Sequence, residues 1–171
     1  MNFMKSTTSN QIEKSSRGNS GQFFVAGELC RRGYAAVVTL GNCPNTDILV
    51  SNIAGTKFVH IQVKTFVPGN RTCTVGLKAE KDFGYKFFWI LAGIPTQHSE
   101  SLNEYYIVPS KILAKNVKES HKLWMNSLGK RGQKHNESNV RIVHLPPTNN
   151  RNGWNIDRYK NYWDPIDKLL K

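Results

Sequence analysis

The residues of this chain whose types and spacing can do chemistry lie in two runs, Thr46-Asp47-Ile48-Leu49-Val50 and His60-Ile61-Gln62-Val63-Lys64-Thr65. An acid opens the first run, and Gln62 and Lys64 bracket a single valine near the end of the second. On a strand, residues two apart share a face. Gln62 and Lys64 are therefore expected to point one way, while Ile61 and Val63 point into a core. If the two runs pair, Asp47 joins the polar face. A carboxylate, an amide oxygen and an ammonium then meet at one point, a set that suits a hard divalent metal and attack on phosphate. Each residue alone has a plainer reading. Asp47 can cap a turn beside Asn45, Gln62 can bond backbone as a half-buried amide, and Lys64 can be a solvated edge lysine. Only their common face asks for a function.

The elements that must position these groups follow from pattern. Residues 1–18 are rich in Ser, Thr, Asn and Lys and read as a mobile lead. A helix is expected from Gly21 to Arg32, capped by Asn19 or Ser20 and closed by Gly33. Glu28 lies within it, placed for an ion pair with Arg32 one turn on. Strands are expected from Tyr34 to Leu40, Asp47 to Ser51 and Lys57 to Phe66, with a turn at Gly41-Asn42-Cys43-Pro44-Asn45. Thr72 to Leu77 reads as a fourth strand. Phe87 to Ile94 is apolar throughout and fits a strand buried on both faces. A polar loop, Thr96 to Asn103, leads to a short strand, Tyr105 to Val108. A helix enters at Pro109-Ser110, with Ser110 as N-cap and Leu113, Val117, Trp124 and Leu128 as its apolar stripe. Gly129 to Asn139 reads as a basic loop, Arg141 to Leu145 as a strand, and Tyr159 to Leu170 as a terminal helix or docking segment.

The order is a helix with Glu28, a strand, a strand opened by Asp47, and a strand carrying Gln62-Val63-Lys64. It resembles the core of the PD-(D/E)XK nuclease superfamily, the restriction-endonuclease-like fold that includes Holliday junction resolvases. Gln62 stands here in the D/E position. The resemblance covers residues 20–66, with a looser match through the buried strand, Tyr105-Tyr106-Ile107-Val108-Pro109-Ser110 and Trp163-Asp164. It implies an α/β domain over residues 19–171, a central mixed β-sheet flanked by helices. It implies a divalent-metal-dependent endonuclease, with Mg²⁺ as cofactor and Mn²⁺ able to substitute. Asp47 would anchor the metal, Gln62 would offer its amide oxygen, and Val63 would offer its carbonyl. Lys64 would orient or help deprotonate the attacking water. Glu28 matches the helix glutamate of resolvase-like members, a ligand direct or through water. The neutral Gln62 lowers the charge of such a site and makes Glu28 the expected source of a second negative charge. A homodimer is the natural form for cutting both strands.

Bulk composition agrees with a nucleic-acid partner. The 171 residues suffice for one domain with a real core, and they carry 24 Lys or Arg against 12 acids, a formal +12. Residues 111–141 hold eight Lys or Arg against two acids, a net +6 and half that excess. Lys115, Lys118 and Lys122, with Lys130, Arg131 and Lys134 of the following loop, could track a phosphate backbone. Arg31 and Arg32 are a second candidate contact beside the proposed metal site. DNA is favoured over RNA, and no membrane is expected, since no apolar run is long enough to cross a bilayer. Three cysteines without CxxC spacing argue against a disulfide framework or zinc site and fit a reducing cytoplasm. The five histidines show no HExxH pattern, and the four tryptophans read as core or interface anchors. A nuclease-like protein that binds nucleic acid without cutting, or that binds a protein partner, remains the alternative.

Overall fold

The computed structural model describes residues 4–39, 43–97 and 99–171, with side chains of the first helix described from Ser15 onward. Residues 1–3 of the expected lead, Leu40, Gly41 and Asn42 of the first strand and turn, and His98 of the polar loop lie outside the described residues. The elements run α1 (Met4–Arg31), β1 (Ala35–Val38), β2 (Ile48–Ser51), β3 (Phe58–Phe66), β4 (Thr72–Thr74), β5 (Phe87–Gly93), β6 (Glu104–Pro109), α2 (Ser110–Met125), β7 (Ile142–His144) and α3 (Asp164–Leu170).

Five strands form a mixed sheet in the order β1-β2-β3-β5-β6, and β4 and β7 form a separate ribbon. Only β3 and β5 pair in parallel, and the other neighbours are antiparallel. One sheet face packs Val59, Ile61 and Val63 of β3 and Phe88, Ile90 and Ala92 of β5 against Val25 and Leu29 of α1 and Ile166 and Leu170 of α3. The other face packs Phe87, Trp89 and Leu91 against Leu113 and Val117 of α2 and Val143 of β7. β5 is buried at every position because helices cover it on both sides. The mixed sheet flanked by helices is the architecture expected from the sequence.

Three local expectations need correction. Helix α1 starts at Met4 rather than near Gly21. Its polar first half has weak helix formers, but adding residues to an existing packed helix is far cheaper than nucleating a new one. Ser110 is not an N-cap. It is the first helical residue, fully buried, and its Oγ accepts the Phe83 N–H at 2.8 Å and so ties down the segment entering β5. Helix α2 stops at Met125, so Leu128 falls outside it and is 66% exposed, while Trp124 is only half-buried. The buried stripe of α2 is Leu113, Ala114, Val117 and Ser120.

Gly21 is where α1 meets the sheet most closely. A Cβ there would lie 2.3 Å from Thr65 Cγ2, so only glycine lets the helix approach β3 beside Lys64.

Candidate active site

Pairing of β2 with β3 sets Ile48 opposite Ile61, so Asp47 sits one step beyond, level with the Gln62 end of β3. Its backbone is held on both sides. The Asp47 N–H donates to the Ile61 carbonyl and its own carbonyl accepts from Thr39 N–H, each at 2.9 Å. The turn before it places Asn45 at φ 65°, a left-handed conformation that Asn tolerates better than most residues. The Asp47 side chain is gathered in by β3. Its Oδ2 accepts the Val63 N–H at 2.7 Å and a short hydrogen bond from Gln62 Nε2.

Alternation along β3 then does what the spacing implies. Val59, Ile61 and Val63 enter the core under α1, and Gln62 and Lys64 lie half-buried on the opposite face. Gln62 and Lys64 line two adjoining recesses. One, of about 210 Å³, is shared with Asp47, Val63, Thr65 and Gly18 and Gln22 of α1. The other, of about 430 Å³, reaches Lys78, Trp89 and Asn139. Burial pushes the Asp47 carboxyl above its ordinary value. The Val63 N–H, the Lys64 charge, the Gln62 amide and the Lys78 charge all pull the other way.

Asp47, Gln62, Val63 and Lys64 are thus brought together. Glu28 is not brought to them. Its carboxylate accepts Arg31 Nε and Nη2, both at 2.8 Å, and Arg32 Nε at 2.9 Å. These bonds, led by that to Arg31, hold its carboxyl below the ordinary range. Arg32 also lies over the Trp163 ring at 4.6 Å. Arg31 and Arg32 are therefore engaged with Glu28 and do not line either recess. Lys115, Lys118 and Lys122 are exposed along α2, and Lys130, Arg131 and Lys134 are exposed on the loop that follows it.

Among the lining residues that escape a reading of the sequence are Gln22 and Gly18 of α1, Lys78 and Asn139. Gly18 and Gln22 are spaced i, i+4 and so share a helix face, but an expected helix start at Gly21 hides that pair. Lys78 lies in a single 3₁₀ turn, Leu77–Glu80, that follows β4, and Asn139 in the irregular segment before β7, both too short for periodicity to mark a direction.

The donors fit a hard cation. A carboxylate oxygen, an amide oxygen and a backbone carbonyl are the ligand types that Mg²⁺ accepts, and Mg²⁺ commonly takes one or two protein carboxylates and completes its shell with water and substrate phosphate. Among the described residues no cluster of three or more His, Cys, Asp or Glu side chains occurs. Among the described residues that line these recesses, Asp47 is the one carboxylate.

No family model matches the chain, and no curated protein matches it. Solved structures do. The bacterial homing endonuclease I-Ssp6803I superposes with a TM-score of 0.54 at 17% identity, covering 91% of this chain and 92% of that one. A Holliday junction resolvase, Hjc from Archaeoglobus fulgidus, matches at a TM-score of 0.41 and 14% identity over 74% of this chain and 83% of its own. With its five-stranded mixed sheet and flanking helices, the chain shares the fold of that homing endonuclease, an α/β core of the restriction-endonuclease-like type.

Proposed function

We propose that this protein is a divalent-metal-dependent endonuclease that hydrolyses phosphodiester bonds of DNA. The observation that carries the reading is the convergence of Asp47, Gln62 and Lys64, fixed by the β2–β3 register that the Asp47 N–H bond to the Ile61 carbonyl extends to Asp47. Asp47 and the oxygens of Gln62 and Val63 would hold Mg²⁺. The metal, when bound, would supply Lewis acidity toward phosphate and a bound water of lowered pKa.

The chain's own residues do the rest. The Gln62 amide donates its N–H to Asp47 and so has its carbonyl oxygen left for the cation. Val63 N–H fixes the carboxylate rotamer, which positions its second oxygen. Lys64 can orient a water through hydrogen bonding and oppose negative charge as it grows on the phosphate. Lys78, close enough to act on Asp47, extends positive potential along the second recess. The exposed lysines of α2 would carry the phosphate backbone, and a second copy of the chain would supply the cut on the other strand.

One observation favours a second reading. With Glu28 bound by two arginines, the described residues give the recess a single carboxylate, the condition expected of a nuclease fold that binds nucleic acid without cutting.

The deciding experiment incubates wild type and Asp47→Ala with supercoiled plasmid in Mg²⁺, Mn²⁺ or EDTA. Nicking or linearisation by wild type with metal, none in EDTA and none by Asp47→Ala supports the nuclease. Salt-sensitive binding without cleavage in any metal selects the second reading. Replacing Lys115, Lys118 and Lys122 together by Gln should flatten the slope of log affinity against log salt by about 0.9 per lost phosphate contact. An unchanged slope would place the nucleic acid elsewhere.

A further inference from the structure

A cavity of about 290 Å³ opens between α2 and β7, away from Asp47. Its walls are apolar. Trp124 forms one side, and Val140 and Ile142, 50% and 42% exposed, form another. His121, His144 and Arg151 stand among them. The Trp124 indole is braced from behind. The His135 ring stacks on it with centroids 4.0 Å apart, and His135 is not a wall of the cavity. The His121 ring, also a wall of the cavity, lies tilted against the same indole at 5.4 Å, so Trp124 and His121 together give the cavity a fixed aromatic wall.

This cavity adjoins the candidate active site through one stretch of chain. Ser138 and Val140 face the cavity, whereas Asn139 between them faces the recess that holds Gln62, Lys64 and Lys78. That stretch is pinned by Arg141, 4% exposed, whose guanidinium donates to the Ser138 carbonyl at 2.6 Å and the Val140 carbonyl at 3.0 Å and pairs with Glu80 and Glu137. A strand passing Lys64 would thus have the cavity within reach on the other side of residues 138–140.

We propose that this cavity is a nucleobase site, receiving one unpaired base of a nucleic-acid strand whose phosphates lie on the neighbouring lysines. The chemistry of the walls picks out the occupant. A base has a flat apolar face, which the aromatic wall of Trp124 and His121 and the apolar Val140 and Ile142 can contact, and an edge with a donor and an acceptor. The His144 ring answers that edge. None of the described hydrogen bonds involves its ring nitrogens, and burial with the Arg151 charge holds it below its ordinary value, hence neutral, with one donor and one acceptor. The rim answers the backbone. Lys118 and Lys122 are exposed within one residue or one turn of His121, and Arg151 adds a further cation. The local acids are already taken. Glu137 pairs with His121 and Arg141, and Glu119 accepts from Asn152. An apolar peptide side chain would need none of these polar groups.

The site does not depend on chemistry at Asp47, and its test separates the two. The full chain, in EDTA, is titrated with dAMP, dGMP, dCMP and dTMP and with 2-deoxyribose 5-phosphate, following the ring-proton NMR signals of His121 and His144. At least one nucleotide should bind about tenfold or more tightly than the base-free sugar phosphate, and Trp124→Ala should lose about tenfold, the range for stacking one base. Val140→Trp, which fills the cavity from a half-exposed position without removing a wall, should abolish the preference. Asp47→Ala should bind nucleotides as wild type does. Equal binding of sugar phosphate and nucleotides would reduce the site to a phosphate contact and overturn the proposal. So would binding by none of the nucleotides, or unchanged binding by both Trp124→Ala and Val140→Trp. Plasmid cleavage is scored separately, so a chain that binds nucleotides this way yet leaves DNA uncut keeps the base site and loses the nuclease reading.

Discussion

Asp47 and Glu28 are both part-buried acids, and the resemblance read from the sequence implies a metal role for both, yet they are solvated by the protein in opposite ways. Glu28 is met by full charges. Arg31 and Arg32 stand three and four residues on along the same helix, and together they saturate its two oxygens. Asp47 is met by amides. Val63 N–H and the Gln62 side chain both reach the same oxygen, Oδ2, while Lys64 and Lys78 act from farther off. An acid neutralised by adjacent arginines has little left for a cation. An acid held by neutral donors keeps its charge, and it carries a desolvation cost that a bound cation would relieve. The difference comes from secondary structure. A helix offers i, i+3 and i, i+4 partners to any acid on its surface, whereas a strand-end acid depends on whatever its neighbour strand presents.

The largest effect that can break this comparison is on catalysis. Asp47→Asn should drop cleavage to background, and Glu28→Gln should leave it within about threefold, the scale of an exposed ion pair lost from a surface helix. Initial rates on one plasmid substrate, both proteins melting cooperatively, are the measurement. A Glu28→Gln protein as dead as Asp47→Asn would mean that Glu28 leaves its arginines when substrate binds.

Gln62→Glu sharpens the comparison by converting a neutral donor into a charged neighbour. Gln62 now donates to Asp47, so a carboxylate in its place removes that bond and sets two like charges together. Without metal the variant should melt lower than wild type at pH 7. With Mg²⁺ the order should reverse, because two carboxylates bind the ion more tightly, by about tenfold or more in affinity. Calorimetric titration with Mg²⁺ and melting curves with and without it check both halves. Equal Mg²⁺ affinity in the two proteins would remove Gln62 from the ligand set.

Much of this was legible from the residues. A period of two places Gln62 and Lys64 together in any strand, and an apolar run as long as Phe87 to Ile94 needs cover on both faces. The ion pair of Glu28 with Arg32 was readable from spacing alone, though Arg31, three residues on, takes the larger share of the carboxylate. What escaped depended on contacts made far along the chain. Gln22 reaches the recess because Gly21 lets α1 close on Thr65. Trp124 follows the helical stripe in sequence, yet α2 ends one residue later and leaves it walling a cavity. Asn139 and Val140 line different cavities on a segment that Arg141 ties to Glu80, a partner 61 residues earlier that no local pattern marks.

The smallest effect, and the most direct reading of the two environments, is the pH dependence of stability in EDTA. Burial raises the native Asp47 carboxyl above its ordinary 3.8, so the folded state holds that proton more tightly than the unfolded chain. Stability from this group is then greatest below 3.8 and falls as pH rises through the native value. Glu28 has the opposite sign. Its native value lies below the ordinary 4.5, so its contribution is present above 4.5 and is lost as pH falls through the native value. Asp47→Asn should therefore raise the melting temperature at pH 7, where the buried charge is fully present, and change it least near pH 3. Glu28→Gln should lower it at pH 7, by about 1 kcal/mol or less because Arg31 is 69% exposed and screened, and this loss should fade toward pH 3. Mg²⁺ at 100 times its Kd should add about 2.7 kcal/mol to wild type and nothing to Asp47→Asn. Melting curves from pH 3 to pH 8 on the three proteins decide it. Shifts of the same sign for the two variants at pH 7 would mean that Asp47 is as well satisfied without a cation as Glu28 is, and the reason to place metal at one acid and not the other would be gone.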